Sequence, residues 1–180
     1  SGPTASEHSI RGVGLYAREL ISALEKNKSK FKDIQIYYKD FEKDDLSQFD
    51  VVHKTYFNPF FPNKGLEGPN KIIITIHDLI PLIYPEHYPP GLKGKLRFLI
   101  QKFLLKNVDV IITISETSKK DICRFLHVQS DKVHVIYLAP RKIFKKIEDT
   151  EILEKVKQKY NLPEKFVLYV GDVNYNKNIP

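Results

Sequence analysis

The sequence predicts an α/β domain, a parallel sheet with helices on both faces. Short runs rich in β-branched residues alternate with helical segments along most of the 180 residues, the order that builds strand–helix–strand units. Five of the six residues Lys71–Ile76 are β-branched, and so continuous an apolar run suits a strand covered on both sides. His77 and Asp78 come next, at the carboxyl end of that strand, where open α/β sheets place their ligand crevice.

The elements follow in order. After a loop over Ser1–Arg11, Leu15–Asn27 carries helical patterning, and Ile34–Tyr38 and Val51–His53 read as strands. Ile72–Ile76 is the central strand, followed by a helix over Leu92–Asn107 and a strand over Val110–Ile114. A helix over Thr117–Leu126, a strand over Val133–Tyr137, a helix over Glu151–Tyr160 and a strand over Phe166–Val170 complete the series. No strand precedes the first helix, so the opening strand of such a sheet is expected to be missing. Pro140–Thr150 reads as a linker. The expected organisation is a domain over residues 1–139, a linker and helix over 140–165, and the start of a truncated second domain over 166–180.

Hydrophobic residues at 42% and charged residues at 28% are a soluble, globular composition. No apolar run approaches membrane-spanning length. The lone cysteine, Cys123, lies in a predicted helix as a buried thiol, and its solitude fits a reducing cytoplasm. The net charge of +7 favours anionic partners, although the lysines are scattered.

Gly12-Val-Gly14-Leu-Tyr16-Ala17 matches a dinucleotide fingerprint in letter. The strand that the fingerprint needs does not precede it, and Asp33 lies before the next strand rather than at its end, so nicotinamide binding is disfavoured. What remains is a glycine-rich loop opening a helix, able to bring backbone amides near an anion or sugar. His77 projects into the expected crevice and can donate to a hydroxyl or phosphate. Asp78 and Ser115 read first as caps of the turns that follow them, and ligand contact is the second reading for Ser115. The other histidines show no metal-ligand spacing and no Asp-x-Asp pair is present, so neither a metal nor another cofactor is expected.

Leu96, Leu99, Ile100, Phe103 and Leu104 form the stripe expected to face the sheet. Phe98 and Leu105 then point outward beside Lys95, Gln101 and Lys102, toward an anionic bilayer, a partner protein, or an overlying loop. The loop Tyr56–Pro62 carries four aromatic residues, suited to stacking on a sugar or to plugging the sheet. No basic residues interleave with them, which disfavours nucleic acid.

Together these segments resemble the amino-terminal domain of retaining glycosyltransferases of family 4. The resemblance rests on Gly12-Val-Gly14-Leu-Tyr16, His77-Asp78-Leu79-Ile80-Pro81, Val110–Glu116, Val135–Pro140, and Phe166–Gly171 with Asn176-Lys177-Asn178. It implies the amino-terminal half of a GT-B fold, a Rossmann-like acceptor-binding domain, plus the start of a donor-binding domain. Carried over, Gly12, Gly14 and Tyr16 would lie by the donor phosphates and acceptor, with Asp78 and Ser115 near the same edge. His77 would contact the donor sugar as the catalytic residue. Gly171 and Lys177 would serve the donor, Lys177 pairing with its diphosphate.

The implied partners are a nucleotide-sugar donor and a sugar, glycolipid or polysaccharide acceptor, with no metal. The implied setting is the cytoplasm, with peripheral contact at an anionic inner membrane face. These 180 residues alone are not expected to catalyse transfer. A non-catalytic glycan- or partner-binding domain, and part of a GT-B-fold epimerase or phosphorylase, remain open as alternatives.

Overall fold

The computed structural model describes residues 12–40, 43–63, 70–141 and 143–179. The chain divides into two units, Ser1–Tyr137 and Leu138–Pro180. The loop expected over Ser1–Arg11 lies outside the described residues.

The first unit is built on four strands, β1 (Val51–Lys54), β2 (Lys71–Thr75), β3 (Val110–Thr113) and β4 (Val133–Val135). They lie side by side in chain order, and every pair is parallel. The carboxyl ends of all four therefore share one edge. Helices α1 (Gly12–Lys26), α2 (Ile80–Ile83), α3 (Gly91–Leu104) and α4 (Glu116–Leu126) surround this sheet.

Register and alternation separate the two faces. Val52, Ile72 and Ile74, Ile111 and Val133 point to one side, since paired residues of parallel strands share a face. That side carries the core: Ile72, Ile74, Ile111 and Val133 pack with Ile76, with Ile122 and Leu126 of α4, and with Leu105 and Val108 just after α3. His53, Ile73, Thr75 and Ile112 point to the other side, and Tyr16 of α1 reaches Thr75 there. Helices thus cover both faces, the Rossmann-like arrangement that the sequence predicts. Ser115 caps α4 as its side chain accepts from Ser118 N at 3.1 Å, and Glu116 adds a favourable charge to the first turn. Cys123 is partly buried, packed against the core from α4.

Four expectations for the first unit are corrected. Ile34–Tyr38 forms no strand, because no strand of the described residues pairs with it. Instead Tyr38 Oη donates to Glu25 Oε1 at 2.9 Å and the Tyr37 ring lies 5.3 Å from that of Phe49. The strand expected over Val133–Tyr137 pairs only as far as Val135, although Ile136 N still donates to Thr113 O at 2.8 Å. Gly12 and Gly14 do not form a loop. Both lie in the first turn of α1.

The fourth correction concerns α3, whose faces are reversed. Gly94 and Gln101 point inward with Leu105, and Phe98 packs partly against the core. Of the five residues expected inside, Leu96, Leu99, Ile100 and Phe103 are exposed, and Leu104 alone packs partly against the core. The reason is local. A Cβ on Gly94 would stand 2.7 Å from Cβ of Pro90, the residue that precedes α3, and 3.8 Å from the Phe60 ring, so Gly94 leaves room for the chain entering the helix and for the aromatic loop. Gln101, wholly buried, accepts from Asn63 N at 2.7 Å and donates from Nε2 to Asn58 O at 3.3 Å. These contacts fix the aromatic loop, with Phe57 in the core and the Phe60 ring 6.4 Å from Phe98.

In the second unit, α5 (Thr150–Lys159) is capped by Asp149, whose Oδ1 accepts from Glu151 N at 3.0 Å and Ile152 N at 3.2 Å. Phe166–Val170 takes no regular secondary structure, with Val167 99% exposed, so the strand expected there is not formed among the described residues. An apolar run becomes a strand only where a neighbour supplies hydrogen-bond partners, and the described residues supply none.

Candidate active site

At the carboxyl edge of the sheet, side chains from α1, β1 and β2 meet on the face opposite the main core. His53 Nε2 lies 2.8 Å from Thr75 Oγ1. The Tyr16 hydroxyl lies 3.5 Å from the same oxygen. The Tyr16 and His77 rings meet edge to face with centroids 4.7 Å apart. Thr75 is wholly buried, and the parity of the strand turns His77, two residues on, to the same side.

His77 is the centre of this group. Its Nε2 is buried and has no hydrogen-bond partner among the described residues. Such an atom is costly unless it meets a partner of its own. Burial pushes the imidazole below its usual range, and the Asp78 carboxylate pulls it part of the way back. Burial likewise lowers the His53 imidazole. Both rings are therefore neutral near pH 7, and a neutral imidazole can donate or accept at Nε2 according to its tautomer.

The other expected residues divide into three groups. Gly12 and Gly14 share the first described turns of α1 with Tyr16, whose hydroxyl and ring reach Thr75 and His77. A Cβ on Gly12 would meet nothing within 4 Å. Asp78 is exposed, and its Oδ1 accepts from Ile80 N at 3.1 Å, shaping the turn into α2. Ser115 begins α4 at the end of the neighbouring strand, its oxygen engaged by Ser118.

Gly171 and Lys177 belong to the second unit. A Cβ on Gly171 would stand 2.8 Å from the Tyr169 hydroxyl, which donates to Asp172 O at 2.8 Å. Lys177 ends a short 3₁₀ turn over Tyr175–Lys177 and is exposed.

Sequence reasoning missed His53 and Thr75. The available signal was positional: His53 closes the predicted strand Val51–His53 and His77 follows the predicted strand Ile72–Ile76, both polar after an apolar run.

The family model of Glycosyltransferase Family 4 matches residues 31–139, which include β1 to β4, His53, Thr75 and His77. This chain belongs to Glycosyltransferase Family 4. Within that family, the chain is 29% identical over 112 residues to the serotype-specific mannosyltransferase WbdA of Escherichia coli, a match covering 62% of this chain and 14% of that protein. It is 29% identical over 124 residues to the O-antigen chain mannosyltransferase B of Escherichia coli, covering 62% and 31%. It is 33% identical over 106 residues to the O-antigen chain mannosyltransferase RfbU of Salmonella typhimurium, covering 59% and 26%. The chain thus spans less than a third of the length of each of these relatives. Family 4 membership accounts for the parallel, Rossmann-like sheet and for the segments on which the resemblance rests within residues 31–139.

Proposed function

We propose that the protein transfers a sugar from a nucleotide-sugar donor to an acceptor hydroxyl with retention, and that residues 1–137 supply the acceptor side. The observation that carries this reading is the buried Nε2 of His77, without a partner among the described residues, at the carboxyl edge of a parallel sheet and beside Tyr16 of α1. The names of the relatives favour a mannosyl donor and a growing polysaccharide as acceptor.

In this reading an acceptor oxygen forms a bond to the anomeric carbon as the bond to the nucleoside diphosphate breaks. Charge grows on the departing phosphate and on the oxocarbenium-like sugar. Catalysis then consists of groups already aimed at that charge. His77, held against Tyr16, offers Nε2 to a sugar hydroxyl. Backbone amides around Gly12 and Gly14, in the first described turn of α1, favour negative charge. Asp78 and Ser115 shape the turns that border the acceptor. Gly171 and Lys177 serve the donor, with Lys177 drawn to the diphosphate. The reaction needs no metal, in keeping with the lack of an Asp-x-Asp pair in the sequence. The working place is cytoplasmic, in peripheral contact with an anionic inner membrane face. No helix of the described residues is long and apolar enough to cross a membrane.

Product analysis of the full-length protein with GDP-mannose and other nucleotide sugars, with and without a glycan acceptor, tests the reading. Transfer that requires the acceptor supports it. An epimerised or phosphorolysed sugar formed without acceptor would replace it with the corresponding reaction.

A further inference from the structure

The outward side of α3 is apolar where a helix normally meets water. Leu92, Leu96, Leu99 and Phe103 are 87%, 62%, 63% and 65% exposed. Their spacings of four, three and four residues place them in one stripe along about three turns. The stripe lies opposite Gly94 and Gln101, which are buried. It is therefore a second face, without a partner among the described residues, and not the margin of the core.

The charges around it have one sign. Lys93, Lys95, Arg97, Lys102 and Lys106 all fall within Gly91–Asn107, and that span contains no acidic residue. Lys106 Nζ sits 5.4 Å from the centroid of the Phe103 ring, its stem lying over the apolar surface. An apolar stripe bordered by flexible cations matches a surface that is apolar below and anionic above. A protein partner with a plain apolar patch would leave these five positive charges unanswered.

We propose that α3 is an interfacial anchor, which lays Leu92, Leu96, Leu99 and Phe103 into an anionic bilayer while its lysines and arginine engage lipid phosphates. This gives the membrane-contact reading above a definite surface and leaves the identity of the transferred sugar aside. It also moves the contact from Phe98 and Leu105, which the fold turns inward.

Co-sedimentation with phosphatidylglycerol and phosphatidylcholine vesicles tests it without any sugar chemistry. We expect binding to the first, far weaker binding to the second, and release near 1 M salt, where screening shrinks to ~3 Å. The Leu96→Glu/Phe103→Glu variant should lose vesicle binding with its circular dichroism and melting temperature unchanged, because both positions are exposed. Lys95→Gln/Lys102→Gln should weaken binding about thirtyfold, at about 1 kcal/mol per basic residue. Equal binding to both vesicle types, or binding that survives Leu96→Glu/Phe103→Glu, would overturn the proposal. So would a dimer in vesicle-free solution that the same variant dissolves, since the stripe would then belong to a second copy.

Discussion

His53 Nε2 and Thr75 Oγ1 stand 2.8 Å apart, although 22 residues separate them in the chain. The parallel register of β1 on β2 sets His53 against Ile73, and the next residue on the same side is Thr75. Pairing of two apolar strands thus brings two polar side chains into a buried contact. Thr75→Val keeps the shape of the side chain and removes the oxygen, leaving the His53 ring nitrogen buried beside a methyl group. We expect a loss of about 1–3 kcal/mol in urea-induced unfolding. A change within experimental error would show that this contact does not support the fold.

Acid should weaken the domain from near neutrality downward. Burial lowers both the His53 and the His77 imidazoles. As pH falls below the unfolded value of about 6.5, the unfolded chain takes up protons before the native one. Stability is therefore complete above that value and falls as pH drops toward the folded values. Unfolding free energies measured between about pH 7 and 5 should decline, and His53→Gln should flatten the slope. A slope unchanged by that variant would contradict the part assigned to His53.

Tyr16 holds His77 through its ring more than through its hydroxyl, which lies at 3.5 Å from Thr75. Tyr16→Phe should leave sugar transfer by the full-length protein near the parental rate. Tyr16→Leu should lower turnover about threefold to tenfold, the worth of an aromatic pair at about 0.5–1.5 kcal/mol. If the phenylalanine variant lost as much as the leucine variant, the hydroxyl would be the part that matters.

Gln101 joins α3 to the loop before β2 by two bonds, to Asn63 N and Asn58 O. Gln101→Leu should cost about 1–3 kcal/mol, because two loop backbone groups lose their partner. Limited proteolysis should then cut within the loop Asn58–Asn63 faster than in the parental protein. Resistance equal to the parent would show that Phe57 and Phe60 suffice to pin the loop.

The sheet was legible in the sequence where a run is apolar on both faces. Ile72–Ile76 needs two covered sides and therefore implies a central strand, so His77 could be assigned to its carboxyl edge. Ile34–Tyr38 and Phe166–Val170 have similar composition, but composition does not supply a hydrogen-bonding neighbour. The error at α3 has a different origin. The helix carries two apolar faces, and periodicity shows that a stripe exists without showing which way it points. Gly94 and Gln101 decided the direction through close approach and through bonds to a distant loop, neither of which leaves a periodic trace. His53 and Thr75 were missed because their meeting depends on strand register, a property of pairs of segments.

His77→Ala in the full-length protein, assayed for transfer from a nucleotide sugar beside a thermal melt, tests the central claim most directly. We expect turnover to fall about a hundredfold or more, in line with loss of one aimed hydrogen-bonding group. The melting temperature should hold or rise, since the substitution removes a buried nitrogen that no described residue partners. Unchanged turnover in a folded variant would remove His77 from the mechanism and contradict the assignment of the active site.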